Sequence, residues 1–308
     1  MTSLVLGTRG SALALAQVDL TRAALLRACP ELTVEQKEFV TRGDQKLDLN
    51  LLRANEAGGK GLFTKELEDA LLSGEIDVAV HSLKDLPGLN PPGLSITAVL
   101  ERAAMGDILI TRDALAFDSL PHGSILGTSS VRRARQLRWL RPDLEIMEWR
   151  GNVQTRLRKL GESETVAGII LAQAGLERLG HDLKAGTLDF GGWRFHVSSL
   201  EAHVLPAIGQ GAIALQSRAD RPGVTQILAH INHPATHLAI RAERELQRLL
   251  SGDCAMPVGV RTRIADGRLE MEAILFGPED ESPKEARAEG DATQPEAVAR
   301  EVFAKLSK

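Results

Sequence analysis

The first two hundred residues alternate between short apolar runs and amphipathic stretches, and this alternation narrows the possible folds more than any other feature. SLVLGTR has the composition of a strand, SALALAQVDLTRAALLRA the periodicity of a helix, and TVEQKEFVT that of a strand again. LFTKELEDALLSG sets Leu62, Leu67 and Leu71 on one helical stripe, and DVAVHS and LSITAVL add strands. Near ERAAMGD (101–107) the pattern restarts with DILITR, SILGTSS, an Arg-rich helix after Ser130, LEIMEW, a helix from Asn152 and AGIILA. Such a rhythm builds an α/β sheet with helices on both faces. QGAIALQSR (210–218) reads as one more strand. The last seventy residues change character: helices near 222–231 and 235–250, a hairpin turning at Asp266-Gly267, and a closing helix PEAVAREVFAKLS. The polar stretch 277–296 reads as a solvated connection around a short strand. A chain of 308 residues has room for two or three domains. The pattern predicts two similar α/β domains followed by a smaller α+β one.

Charge and cysteine content narrow the class. A net charge of −4 argues against nucleic acid or a membrane surface as the partner of the whole molecule, so any anion-binding function is local. No apolar run approaches the roughly 18 residues of a membrane helix, and Arg9 interrupts the opening run before it resembles a signal peptide. Two cysteines, Cys29 and Cys254, make no disulfide framework, which suits a reducing compartment and predicts a cytoplasmic protein. No paired histidines or Cys-x-x-Cys at ligand spacing occur, so no metal is expected.

One strand carries groups that its core does not require. DVAVHSLKDLP (77–87) begins as a buried run, Val78 to Val80, and then presents His81, Ser82, Lys84 and Asp85 before Pro87 ends it. Ligands of open α/β sheets bind beyond the carboxyl ends of the strands, so Asp85 suits proton handling there and Lys84 suits holding an anion. The plain alternative is a surface ion pair. Arginines at strand-to-helix turns favour the functional reading. GTSSVRR (127–133) places Ser129, Ser130, Arg132 and Arg133 at one turn, EWRGNVQTR (148–156) places Arg150 and Arg156 at another, and LGTRGS (6–11) places Arg9 at a third. Helix N-termini favour anions, and guanidinium forks match carboxylates, so one polyanion held between two domains is expected. Arg135, Arg138, Arg141 and Arg158 read as solvated or locally paired. GGKGLF (58–63) lacks P-loop spacing and reads as a Gly-rich lid over 55–61; GQGAIA (209–214) precedes a strand instead of opening a helix, so it is no dinucleotide site. Cys29 reads as a small buried hydrophobe, and Cys254, on the loop LSGDCAMPVG, as a thiol that could bear a covalent group.

In family order and over nearly the whole chain, TRGSALALAQ, TRGD, GGKGLFTKELE, DVAVHSLKDLP, GTSSVRR, RGNVQTRL, AGLERLG, LPAIGQGA and GDCAMPVG resemble the hydroxymethylbilane synthase (porphobilinogen deaminase) family. The resemblance implies a transferase of porphyrin, tetrapyrrole and heme biosynthesis. Four porphobilinogen molecules would lose ammonia and join head to tail into linear hydroxymethylbilane. Each unit bears an acetate and a propionate, so the product is the polyanion that the arginines suit. The primer implied is a dipyrromethane cofactor bound through a thioether to Cys254. Asp85 is the implied catalytic carboxylate, placed to stabilise positive charge on pyrrole N–H groups. Carboxylate contacts are implied for Arg9, Ser11, Gln17, Ser82, Lys84, Thr128, Ser129, Ser130, Arg132, Arg133, Arg150, Arg156 and Arg178, and a lid for Gly59, Lys60 and Phe63. The implied fold is a pair of domains resembling a periplasmic binding protein (1–101 with 210–230, and 106–205) plus a third at 234–308, in a cytoplasmic monomer. Gly252-Asp253 stands where the family usually has Gly-Gly, and Glu56 where a lysine is often seen. The competing reading is a non-enzymatic two-lobed binding protein for a small anion, which leaves Asp85 and the Cys254 loop without a purpose.

Overall fold

A computed structural model describes residues 3–40, 64–250, 257–278 and 281–308. Among them the strands fall into three sheets. The first joins β1 (Ser3–Arg9), β2 (Thr33–Phe39), β3 (Val78–Ser82), β4 (Leu94–Val99) and β11 (Ile213–Arg218) in the order β2-β1-β3-β11-β4. β1 runs parallel to both β2 and β3, whereas β11, arriving two hundred residues later, runs antiparallel to β3 and β4. The sheet is therefore mixed: a strand that returns from another domain need not share the direction set by the βαβ units.

Helices α1 (Ala12–Ala28), α2 (Lys65–Ser73) and α6 (Pro222–Ala229) cover this sheet. Its two faces bury separate clusters, Leu4, Leu6, Val18, Leu25, Val80 and Leu215 in one, Leu67, Leu71, Ile76 and Ala79 in the other. The predicted stripe thus contributes Leu67 and Leu71 to the core, while Leu62 lies outside the described residues. Cys29, half-buried at the end of α1, packs on the first cluster.

The second sheet is six-stranded, β7-β6-β8-β5-β10-β9, from β5 (Asp107–Thr111), β6 (Ile125–Gly127), β7 (Glu145–Met147), β8 (Val166–Ala172), β9 (Thr187–Phe190) and β10 (Trp193–Ser199). Here too the strands on either side of β6 are parallel to it, and β5 is antiparallel to its neighbours β8 and β10. Helices α3 (Val131–Leu140), α4 (Val153–Glu162) and α5 (Gln173–Arg178) accompany it. The third unit is an antiparallel sheet of β12 (Val258–Ala265), β13 (Arg268–Leu275) and β14 (Lys284–Asp291). It shares one core with α7 (Pro234–Leu249) and α8 (Pro295–Leu306), through Leu246, Val260, Met271 and Val302. The hairpin turns at Asp266-Gly267, as its sequence predicts. The stretch read as a connection with a short strand instead holds an eight-residue strand paired with β13 along its whole length.

Candidate active site

β3 lies at the centre of its sheet, with β1 on one side and β11 on the other, so Val78, Ala79 and Val80 are buried and the strand's tip is fixed. The chain then makes a single tight helical turn, Leu83–Asp85. Leu83 and Leu86 sink into a small cluster with Ala212, Ala214 and Ile240. Anchored on both sides, the turn holds Lys84 half-buried and Asp85 exposed. The anchor is tight: Gly209 sits at φ +71°, and a Cβ there would come within 2.3 Å of Leu83 Cδ2. Beside the turn, Gln17 on α1 donates from Nε2 to Ser82 Oγ at 2.7 Å.

Beneath it lies His81, buried, with Nε2 3.1 Å from Gln216 Oε1. Burial pushes the imidazole pKa down to about 4, and the charge of Arg9 works in the same direction. His81 is therefore neutral near pH 7 and donates to Gln216, whose own amide reaches Glu68 at 3.4 Å. Burial also raises the pKa of that carboxyl. Of the four polar groups at the strand's end, His81 thus faces inward.

The second sheet brings its arginines to the same place. After β6, Thr128 Oγ1 accepts from Ser130 N, and Ser130 caps α3 by accepting from Arg133 N. Asn152 caps α4, and Ser11 does the same for α1. Arg156 donates to Gly151 O at 2.7 Å and to Ser129 Oγ at 3.1 Å. Arg150 pairs with Glu148, and Arg178 donates to Gly211 O at 2.6 Å, across to the first sheet's returning segment.

Arg132 and Arg133, expected to hold a polyanion, also have a partner within the protein. Both are only 5% exposed, and both turn onto one carboxylate, Asp107 at the start of β5. Arg132 Nη2 reaches Asp107 Oδ2 at 2.7 Å, and Arg133 Nη2 reaches Oδ1 at 2.7 Å. Further donors go to the carbonyls of Leu205 and Ile170. Burial pushes the Asp107 carboxyl up, but the two guanidiniums outweigh it and hold the pKa well below the usual range. The sequence reading passed over Asp107; its one signal was an acid opening the otherwise apolar run DILIT.

The electrostatics join the two halves. Burial, and then the charge of Arg133, bring the Lys84 pKa down to about 8, with Asp85 and Asp107 opposing. Burial, Arg133 and Arg150 bring Arg156 down to about 10, again opposed by Asp85. Lys84, Arg132, Arg133 and Arg156 therefore share a neighbourhood in which, among the described residues, Asp85 and Asp107 are the acids that offset their charge. A polycarboxylate placed there relieves the repulsion, and Asp85 is the exposed acid among the cations. Gly59, Lys60, Phe63 and Cys254 lie outside the described residues, as do Glu56 and Asp253.

A separate cleft of about 500 Å³, lined by Trp139, His203, Arg261 and Ile274 among others, lies between the second and third sheets and includes none of the candidate site residues. Among the described residues, no cluster of three or more His, Cys, Asp or Glu side chains has the arrangement of a metal site.

Two family models match the chain: porphobilinogen deaminase, dipyromethane cofactor binding domain, over residues 4–226, and porphobilinogen deaminase, C-terminal domain, over 237–308. Relatives named porphobilinogen deaminase include one from Syntrophobacter fumaroxidans, 43% identical over 303 residues that cover 98% of this chain and 93% of the relative. One from Desulforudis audaxviator is 45% identical over 302 residues, covering 98% and 93%, and one from Thiobacillus denitrificans 42% over 306 residues, covering 99% and 95%. Likeness to solved structures is slight. A ligand-binding component of an ABC-type import system from Staphylococcus aureus has a TM-score of 0.40 and 13% identity, covering 82% of this chain and 76% of that one.

Proposed function

The chain belongs to the porphobilinogen deaminase family, and from that premise we propose how its own residues carry out the family's reaction. The enzyme is a transferase of porphyrin biosynthesis. It deaminates four porphobilinogen molecules and joins them head to tail into linear hydroxymethylbilane on a dipyrromethane primer, releasing ammonia.

The observation that carries the residue-level reading is the excess of cations around Asp85. Lys84 and Arg156 have pKa values lowered to about 8 and about 10, in part by neighbouring positive charge, and substrate carboxylates complement them. Arg132 and Arg133 join them in binding substrate carboxylates, and the same donors suit a dipyrromethane: Arg132, Arg133 and Arg156 with Ser129 and Lys84 would hold it, and Cys254 would bear it through a thioether. When bound, that group supplies the pyrrole carbon to which the first unit is joined. Asp85, exposed at the tip of the turn, accepts hydrogen bonds from the pyrrole N–H of the incoming substrate and stabilises the positive charge that develops there. Its neighbour Lys84 holds a substrate carboxylate, and the Gln17–Ser82 pair fixes the strand tip from which both project.

By the family pattern, Arg9, Ser11, Thr128, Ser130, Arg150 and Arg178 complete the carboxylate-binding wall, with Gly59, Lys60 and Phe63 as lid. Ser11 and Ser130 act at least in part as helix caps that hold their turns in shape. The domain division belongs to the same reading: 1–101 with 210–230, 106–205, and 234–308. So does a monomer working in the cytoplasm; among the described residues no helix is long and apolar enough to cross a membrane.

Substituting Asp85→Asn tests this assignment. The variant should fold, retain its primer and lose at least about a hundredfold in turnover of porphobilinogen, the scale of a lost acid–base group. Turnover within a factor of two of the parent would remove Asp85 from the mechanism.

A further inference from the structure

The segment GQGA (209–212) lies where the three sheets meet. Two crossovers link the first and second sheets, one over 100–106 and the other over 200–212. They run side by side, with Leu100 N bonded to Ile213 O at 3.3 Å and Ala103 N to Gly211 O at 3.1 Å. Gly211, at φ +84°, lets them close up: a Cβ there would lie 2.5 Å from Ala103 O. Gln210, on the second crossover, turns its side chain toward the first and is 1% exposed.

Its contacts reach in two directions. On one side Gln210 O accepts from Arg102 Nε at 2.9 Å, and Arg102 forks onto Glu243 of α7, which also takes Gly209 N at 2.7 Å. On the other side Gln210 Nε2 donates to Met105 O at 2.6 Å and to Asp107 Oδ1 at 2.8 Å. That oxygen is the one held by Arg133, and its partner oxygen is held by Arg132. The node is not closed. Arg132 Nε and Gln210 Oε1 are both buried and have no hydrogen-bond partner among the described residues. Arg132 therefore retains a donor that a small change of aim would bring to another acceptor.

We propose that Gln210 is a positioning residue: through Asp107 it transmits the set of the two crossovers to Arg132 and Arg133, and so aims those guanidiniums at substrate carboxylates. The inference rests on the carboxylate-binding role given above to the two arginines. It adds that their orientation is set from the crossovers between the sheets, by one buried amide on one buried carboxylate, together with the carbonyls of Leu205 and Ile170. Movement of one crossover against the other changes the Met105–Gln210–Asp107 geometry first. The arginines follow because Asp107 has no other side-chain partners among the described residues.

Gln210→Met keeps the volume and removes both amide bonds, so it is the direct test, with the primer-bearing enzyme assayed on porphobilinogen. Grip on a carboxylate is felt equally in the bound substrate and the transition state. The loss should therefore raise KM by about tenfold, the effect of one weakened charge-assisted hydrogen bond, with kcat changed less than threefold. A purely structural role predicts the reverse: a lower Tm and less active protein, with KM unchanged. Gln210→Asn, which keeps the amide but shortens its reach, serves if the first variant does not fold and should show the same KM shift. Unchanged KM in either folded variant overturns the proposal. So does failure of both to fold, which would make Gln210 a residue of the fold alone. The parent protein is assayed alongside: a parent that forms no linear tetrapyrrole refutes the functional reading itself, whereas an active parent with an unaffected variant refutes only the role of Gln210.

Discussion

Removing the carboxylate of Glu243 should cost more stability than removing any single apolar side chain of the third sheet's core. Glu243 is fully buried, on a helix of the third unit, and accepts from Arg102 Nη1 at 2.6 Å and Nη2 at 3.0 Å, from Thr262 Oγ1 at 2.5 Å and from Gly209 N at 2.7 Å. The Arg102 side chain is itself only 10% exposed. Glu243→Ala therefore strands a buried guanidinium, a loss of about 3–5 kcal/mol for one broken buried pair. It also leaves the Gly209 amide without its acceptor, which adds about 1–2 kcal/mol. For a chain of this size the sum corresponds to a fall in Tm of roughly 10 °C, read by differential scanning calorimetry on the lowest transition, since a molecule of three units need not melt as one. Glu243→Gln keeps an acceptor for Gly209 and Thr262 and should lose about half as much. Replacing both partners, Arg102→Leu with Glu243→Leu, should leave the protein more stable than Arg102→Leu alone, because no unpaired charge remains in the interior. A Glu243→Ala variant melting within about 2 °C of the parent would refute the argument that this pair latches the third unit to the crossovers.

Two further predictions concern pH. The folded-state pKa of Lys84, about 8, lies below its ordinary value of 10.5, so its ammonium is lost as pH rises through 8 and a carboxylate partner goes with it. kcat/KM should fall on that basic limb, and Lys84→Arg, which stays charged, should carry the plateau to higher pH; a limb unmoved by Lys84→Arg would assign it to another group. His81 is the opposite case for stability. Its pKa is about 4 folded against 6.5 ordinarily, so the unfolded chain binds the extra proton first as pH falls, and stability declines between pH 6.5 and 4. The contribution is on the order of 3 kcal/mol, and His81→Gln should flatten the decline in urea unfolding measured at pH 7 and 4.5; an unchanged slope would contradict the burial of a neutral imidazole.

The site's outline was legible where it depended on local sequence. Val78 to Val80 followed by four polar groups marks a strand that ends at a cleft, and the helices expected after Ser130 and from Asn152 are present, with those two residues as their caps. The pairing of Arg132 and Arg133 with Asp107 was not legible. Its partners lie 25 and 26 residues apart and meet only because β5 lies two strands from β6, across β8. Gln210 was hidden in the same way, its two amide contacts lying more than a hundred residues away. The length of β14 was masked by composition: its inward positions are Ala286, Ala288 and Gly290, too small to mark an apolar face, between exposed Glu285, Arg287 and Glu289. The hairpin of β9 and β10 was passed over as well, and it widens the second sheet to six strands.

If this chain builds a tetrapyrrole on a primer fixed to Cys254, the intact mass of the purified protein, with peptide mapping, will show it most directly. The predicted result is an excess of two linked pyrrole units located on the Cys254 peptide, present on isolation or gained on incubation with porphobilinogen. An unmodified Cys254 peptide after that incubation would contradict it.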